Sequence, residues 1–208
     1  MVLDIFESTF RFPNRVYILA PGPNGVAHWD KLGDYIIGVS KAIQTRVPLS
    51  AWLLTDWWAL KTPWFPPEDA VYKGVRIFSD GLVMMRPKDA IPADYRFALL
   101  DGSKCTFPLG TAPYGQPVPR TIRPDGSVSA SAVELVARLG AKEIVLCGVD
   151  MYGASYFDGE GSSSVDCPHI GEWAFTPYFN SLIEWVREQG IDVWSMSKTS
   201  LGVDVRES

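Results

Sequence analysis

DGSVSASAVELVARLGAKEIVLCGVDMYGASYFDGEGSSSVDCPH, residues 125–169, decides how the rest of the chain is read. Ser127 or Ser129 can cap a helix whose apolar surface comes from Ala130, Val133, Leu135, Val136 and Leu139, and Gly140 ends it. Ile144, Val145, Leu146 and Cys147 then follow without alternation, as expected of a parallel strand covered on both faces. Gly148 and Asp150 come next, at the carboxyl end of that strand, where open α/β sheets place their ligands. Beyond them the sequence turns polar, passes Tyr152 and Tyr156, and reaches His169.

Upstream, the same grammar repeats. Val16 to Ala20 is a short apolar run that breaks into Pro21, Gly22, Pro23, Asn24 and Gly25, a strand followed by a tight loop. Glycines there allow close backbone approach, and a helix around Val26 to Leu32 would point its free N–H groups at an anion; a plain turn is the competing reading. Tyr35 to Val39 is a second strand, ending at Ser40, whose hydroxyl can hydrogen-bond a base or ribose, and at Lys41, for which solvation is the default. Ala51 to Thr55 is a third, followed by Asp56 and the aromatic group Trp57, Trp58, Trp64 and Phe65. Those rings read as core or subunit interface, with a sugar platform as the alternative.

Short strands are expected at Val75 to Phe78, Leu82 to Met85 and Phe97 to Leu100. The stretch 101–125 has little periodicity and exceeds ordinary connections, so it is a candidate active-site loop or interface arm; Arg120 and Arg123 within it can meet a carboxylate or phosphate. Downstream of His169, residues 175–189 have helical spacing, Gly190 ends them, Ile191 to Trp194 form a last strand, and the polar tail 204–208 is expected to fray. Alternating strands and helices favour an α/β three-layer sandwich with a mostly parallel sheet.

With 208 residues, 47% of them apolar, the chain has material for one domain with a real core. Lys and Arg number 19 against 24 acids and form no basic run, which argues against nucleic acid as a partner. No stretch approaches the roughly 20 apolar residues of a membrane span, and the acidic start MVLDIFESTFRF does not look like a secretory signal. Cys105, Cys147 and Cys167 are an odd, widely spaced set, suited to reduced thiols in a cytoplasm. Cys167 and His169 lie close in sequence, but no second pair at zinc-site spacing accompanies them, so no metal is expected.

The run GAKEIVLCGVDMY, then SYFD, then HIG, then a helix and a strand ending SMSKTSL, resembles the core of the bacterial sialyltransferases of glycosyltransferase family forty-two. That family is in turn related to the hydroxymethylpterin diphosphokinase-like and motility accessory factor group. The resemblance implies a single Rossmann-like, GT-A-like domain over residues 1–208 with a short lid at about 153–168. It also implies an inverting, metal-independent sugar transfer from CMP-sialic acid to a glycan or other hydroxyl acceptor. On this resemblance Tyr152 and Tyr156 hold the donor phosphate and His169 is the general base, while Gly22, Pro23, Asn24, Ser40, Ser127, Ser129, Gly148 and Asp150 line the nucleotide side. The family's Gly-Asn-Gly-Pro-Ser loop is replaced here by Ala20, Pro21, Gly22, Pro23 and Asn24, so one side-chain contact to the donor is lost.

The residue types suit that chemistry. An unperturbed imidazole, pKa near ~6.5, can accept the acceptor's proton at neutral pH, and two neutral phenols can donate to a phosphate whose charge grows as the glycosidic bond breaks. Each also has a bland reading, as a structural histidine and as packing aromatics. A second hypothesis is a magnesium-dependent pyrophosphokinase similar to hydroxymethylpterin diphosphokinase, with Asp56, Asp101 or Asp150 as ligands. A third is a non-catalytic nucleotide- or sugar-binding protein on the same fold, and the tryptophans make a homo-oligomer an option.

Overall fold

In a computed structural model the described residues are 2–55, 57–66, 72–100, 114–115, 117–123, 127–151 and 176–207, with backbone alone at 57 and 58. Ten strands form one sheet: β1 (Leu3–Asp4), β2 (Arg15–Leu19), β3 (Ile36–Val39), β4 (Ala51–Leu54), β5 (Val75–Ser79), β6 (Tyr95–Leu99), β7 (Thr121–Ile122), β8 (Glu143–Cys147), β9 (Asp192–Ser195) and β10 (Asp204–Val205). Their order is β1-β6-β5-β4-β3-β2-β8-β9-β10, with β7 also on β6. Every described ladder is parallel, so the expected mostly parallel α/β sheet is present. Both outer strands are two residues long, which leaves little open edge for another chain to extend.

Continuous apolar strands arise because both faces are covered. Val16 and Ile18 of β2 and Ile144 and Leu146 of β8 pack beneath two helices, α2 (Val128–Arg138) and α3 (Thr176–Glu188). Tyr17, Leu19, Val145 and Cys147, their alternates, face the other layer. That layer is built from 3-10 turns at Pro23–Lys31, Ser40–Gln44 and Trp57–Lys61 and from the short helix α1 (Asp80–Met85). From β2 the chain first steps one way through β3, β4, β5 and β6, then crosses by α2 to β8 on the other side of β2. Right-handed crossovers that travel in opposite directions put their connections on opposite faces, which accounts for the two layers.

Two expectations need correction. Leu82 to Met85 is helix rather than strand: Ser79 Oγ accepts the Leu82 N–H at 3.4 Å and caps α1, and only Leu82 is buried while Met84 and Met85 are exposed. A four-residue apolar run has no period to tell the two apart. The tail is not frayed at its start, because β10 pairs with β9, and Arg206 bonds Asp192 at 2.6 Å and stacks 5.5 Å over Trp194. The core reading of the aromatic group holds for Trp64 and Phe65, which pack partly buried on the cluster of fully buried Trp52 and Phe78, while the side chains of Trp57 and Trp58 lie outside the described residues.

Helix α2 is buried almost all round, and its one buried acid fixes the neighbouring segment. Glu134 accepts from Arg138 Nη1 at 3.0 Å and from the Arg123 main-chain N–H at 3.2 Å, while Arg138 also donates to the carbonyls of Thr121 and Val118. Burial pushes the Glu134 carboxyl up, and the Arg123 amide and the Arg138 charge pull it back. Glu134→Ala should therefore destabilise the fold by about 3–5 kcal/mol, the usual result of leaving a buried partner unpaired. Urea unfolding reads this, and a loss under about 1 kcal/mol, the range of an exposed pair, would mean that the pair does not anchor 117–123.

Candidate functional site

The strand order reverses between β2 and β8, and the loops leaving these two strands lie against each other. The Ala20 N–H donates to Cys147 O at 2.9 Å and the Gly22 N–H to Gly148 O at 3.0 Å, so pairing continues past the strands. This is possible only without side chains. A Cβ on Gly22 would lie 2.2 Å from Gly148 O and 2.7 Å from the Asp150 carboxyl, and one on Gly148 would lie 2.5 Å from Ala20 O. Gly148 also has φ +69, the left-handed region that glycine adopts freely. Its N–H donates to Ser197 Oγ at 2.9 Å, which brings the chain after β9 into the same corner.

Asp150 joins these pieces. It is 5% exposed, its Oδ2 accepts the Asn24 N–H at 3.1 Å, and its main-chain oxygen accepts the Ser200 N–H at 3.1 Å. Thr199 Oγ1 donates to the Val149 carbonyl at 2.6 Å. The other carboxylate oxygen, Oδ1, is buried with no hydrogen-bond partner among the described residues. Loss of solvation holds the Asp150 carboxyl above the ordinary carboxylate range, and the Asn24 backbone and side chain offset part of that. Burial likewise pushes the Cys147 thiol up to about 12, with the Asp150 charge adding to it; the thiol lies 3.5 Å from Gly25 O.

The loop after β2 differs from expectation in an informative way. Its helix is a 3-10 helix that begins at Pro23, earlier than the expected Val26, and Gly22 caps it without a side-chain bond. Pro23 has no N–H to offer, and the next one, on Asn24, is taken by Asp150. The anion expected at this helix start is the chain's own carboxylate, whose charge opposes a phosphate at the same point.

The other expected site residues sit on neighbouring strand ends. Ser40 follows β3 with φ 50, and its carbonyl accepts Trp52 Nε1 at 2.9 Å. Lys41 is 2% exposed, which overturns the solvated reading. Ser127 is the cap of α2, with its Oγ accepting Ala130 N–H at 3.4 Å, and Ser129 is buried inside the first turn. Arg120 pairs with Glu7 at 2.6 Å, and the Arg123 guanidinium lies about 6 Å from the Tyr114 and Tyr178 rings, so both have partners within the chain. Tyr152, Tyr156, His169, the lid at 153–168, Asp56, Asp101, Cys105 and Cys167 lie outside the described residues. The described chain reaches Met151, in the left-handed region at φ 59, one residue before Tyr152.

Ser197, Thr199 and Ser200 were not anticipated as site residues. Their signal was the polar run directly after an apolar strand, the pattern that marked Gly148 and Asp150. Among the described residues no three His, Cys, Asp or Glu side chains gather as a metal-ligand set, and no helix is long and apolar enough to cross a membrane.

Because Asp150 titrates higher in the native state, its contribution to stability is complete below the unfolded value of ~3.9 and is lost as pH rises through the native value. Asn at this position does not titrate. Wild type should thus lose stability relative to Asp150→Asn from about pH 4 upward, levelling off above the native pKa. Urea midpoints across pH measure it, and a difference that is flat or slopes the other way contradicts a raised carboxyl. Compared with known proteins, the chain matches no family model, no curated protein and no solved structure.

Proposed function

We propose that the chain is an inverting glycosyltransferase that takes a nucleotide-activated sugar, CMP-sialic acid foremost, and moves the sugar to a hydroxyl of a glycan or other acceptor. The observation that supports it is the meeting of two loops, backbone against backbone at Gly22 and Gly148, at the point where strand order reverses, the position at which open parallel sheets take nucleotides. The motif that resembles the sialyltransferases continues from this point, with Tyr152 next in sequence after Met151.

On this reading the acceptor oxygen attacks the anomeric carbon from the face opposite the phosphate, and the bond from that carbon to the phosphate oxygen breaks as CMP leaves. His169 takes the acceptor's proton. Tyr152 and Tyr156 donate to the phosphate oxygens and act more strongly as charge develops there, so they stabilise the transition state above the ground state. Residues 153–168 exclude water that would otherwise take the sugar. The reading includes a cytoplasmic protein with reduced thiols.

Asp150 supports the second reading, a magnesium-dependent pyrophosphokinase, because a buried carboxylate oxygen without a partner can also ligate a cation alongside substrate phosphates. A single assay separates the two. Incubation with CMP-sialic acid in the presence of EDTA should release CMP; Tyr152→Phe and Tyr156→Phe should each lower the rate by about 10²–10³, and His169→Ala should reduce it at least as far. Release that requires magnesium, or no release from CMP-sialic acid, would contradict the transferase.

A further inference from the structure

The corner between β2 and β8 contains a polar atom that the described residues do not satisfy. Asp150 is nine-tenths buried and its Oδ2 and main-chain oxygen have protein partners, yet among the described residues its Oδ1 has none. Buried polar atoms are nearly always paired, so an orphan needs a reason. A structural clamp on Asn24 does not supply one: an asparagine oxygen accepts the same N–H without a charge to desolvate.

An ionised carboxylate only accepts hydrogen bonds, so the missing partner carries O–H or N–H groups. It is not a phosphate, since the carboxylate already occupies the amide at the start of the 3-10 helix and repels a second anion there. Gly22 and Gly148 form the adjacent backbone, each packed against the other loop's main chain.

We propose that Asp150 is a specificity-determining residue whose Oδ1 accepts hydrogen bonds from the ribose hydroxyls of a bound ribonucleotide, so that the site selects ribose over deoxyribose and turns the phosphate away from the β2 loop. This rests on the nucleotide-binding reading of the same corner. A single oxygen has two lone-pair positions, which the two O–H groups of a vicinal diol can approach from one side. A base amino group instead brings a ring acceptor into the same negative field.

The test is calorimetric titration of the full chain with CMP, 2′-deoxy-CMP and 3′-deoxy-CMP, with AMP, GMP and UMP and their deoxy forms, and with magnesium chloride alone, on wild type and Asp150→Asn. The ligand series on wild type stands even if the variant folds poorly. For the ribonucleotide that binds, loss of one hydroxyl should weaken binding by about 10- to 100-fold, as for a hydrogen bond to a charged group, and Asp150→Asn should remove most of that difference. If CMP fails but another ribonucleotide binds with this hydroxyl dependence, the inference stands and CMP-sialic acid falls as the donor. Equal affinity for ribo and deoxy forms overturns the inference and leaves the transferase intact. Magnesium binding that needs Asp150 makes the carboxylate a metal ligand and overturns it as well. If no nucleotide binds wild type, both proposals fall.

Discussion

The contact between Asp150 Oδ2 and the Asn24 amide holds together the part of the molecule most suited to bind something. It joins the loop after β2 to the exit of β8 across a separation of 126 residues, at the centre of a parallel sheet, and it sets the charge of the corner where they meet. Two glycines permit the approach and Ser197, Thr199 and Ser200 brace it from the next strand. The corner is therefore closely packed and, among the described residues, short of one hydrogen-bond donor. A ligand that binds here gains by bringing that donor.

The sheet fixes where this corner lies. Parallel strands joined by right-handed crossovers can fill both sides of β2 only if the chain reverses its direction of travel, and the reversal leaves adjacent strand ends whose connections depart to opposite faces. Helices α2 and α3 cover one face, and the 3-10 turns and α1 cover the other. Short helices suffice on the second face because Trp52, Phe65, Tyr72 and Phe78 supply its bulk. Of the tryptophan-rich stretch, Trp64 and Phe65 thus pack on the core cluster.

Much of this was legible in the chain itself, for reasons that differ by element. Strands β2, β3, β4 and β8 announced themselves because both faces are buried, so their apolar runs are uninterrupted. Strands β1, β7 and β10 were missed because two residues leave no pattern, and α1 was misread because four apolar residues fit either period. Gly22, Gly148 and Asp150 were picked out by their place at strand ends, yet that Asp150 would occupy the loop's amide could not be read locally, since its partner is far away in sequence. Burial of Lys41 was equally hidden: nothing beside it in sequence distinguishes it from a solvated lysine. Tyr152, Tyr156 and His169 rest on the motif alone, and the described chain stops at Met151 before resuming at Thr176.

The central claim is that the β2–β8 corner is where the ligand binds. An amide-shift titration of the ¹⁵N-labelled chain with CMP-sialic acid tests it directly, because the internally bonded amides of the corner report any change in their surroundings. The account expects the largest changes at Gly22, Asn24, Gly25, Gly148 and Met151, with little movement around Trp64 and Phe65 on the outer cluster. Changes concentrated on that cluster, with the corner silent, would contradict it.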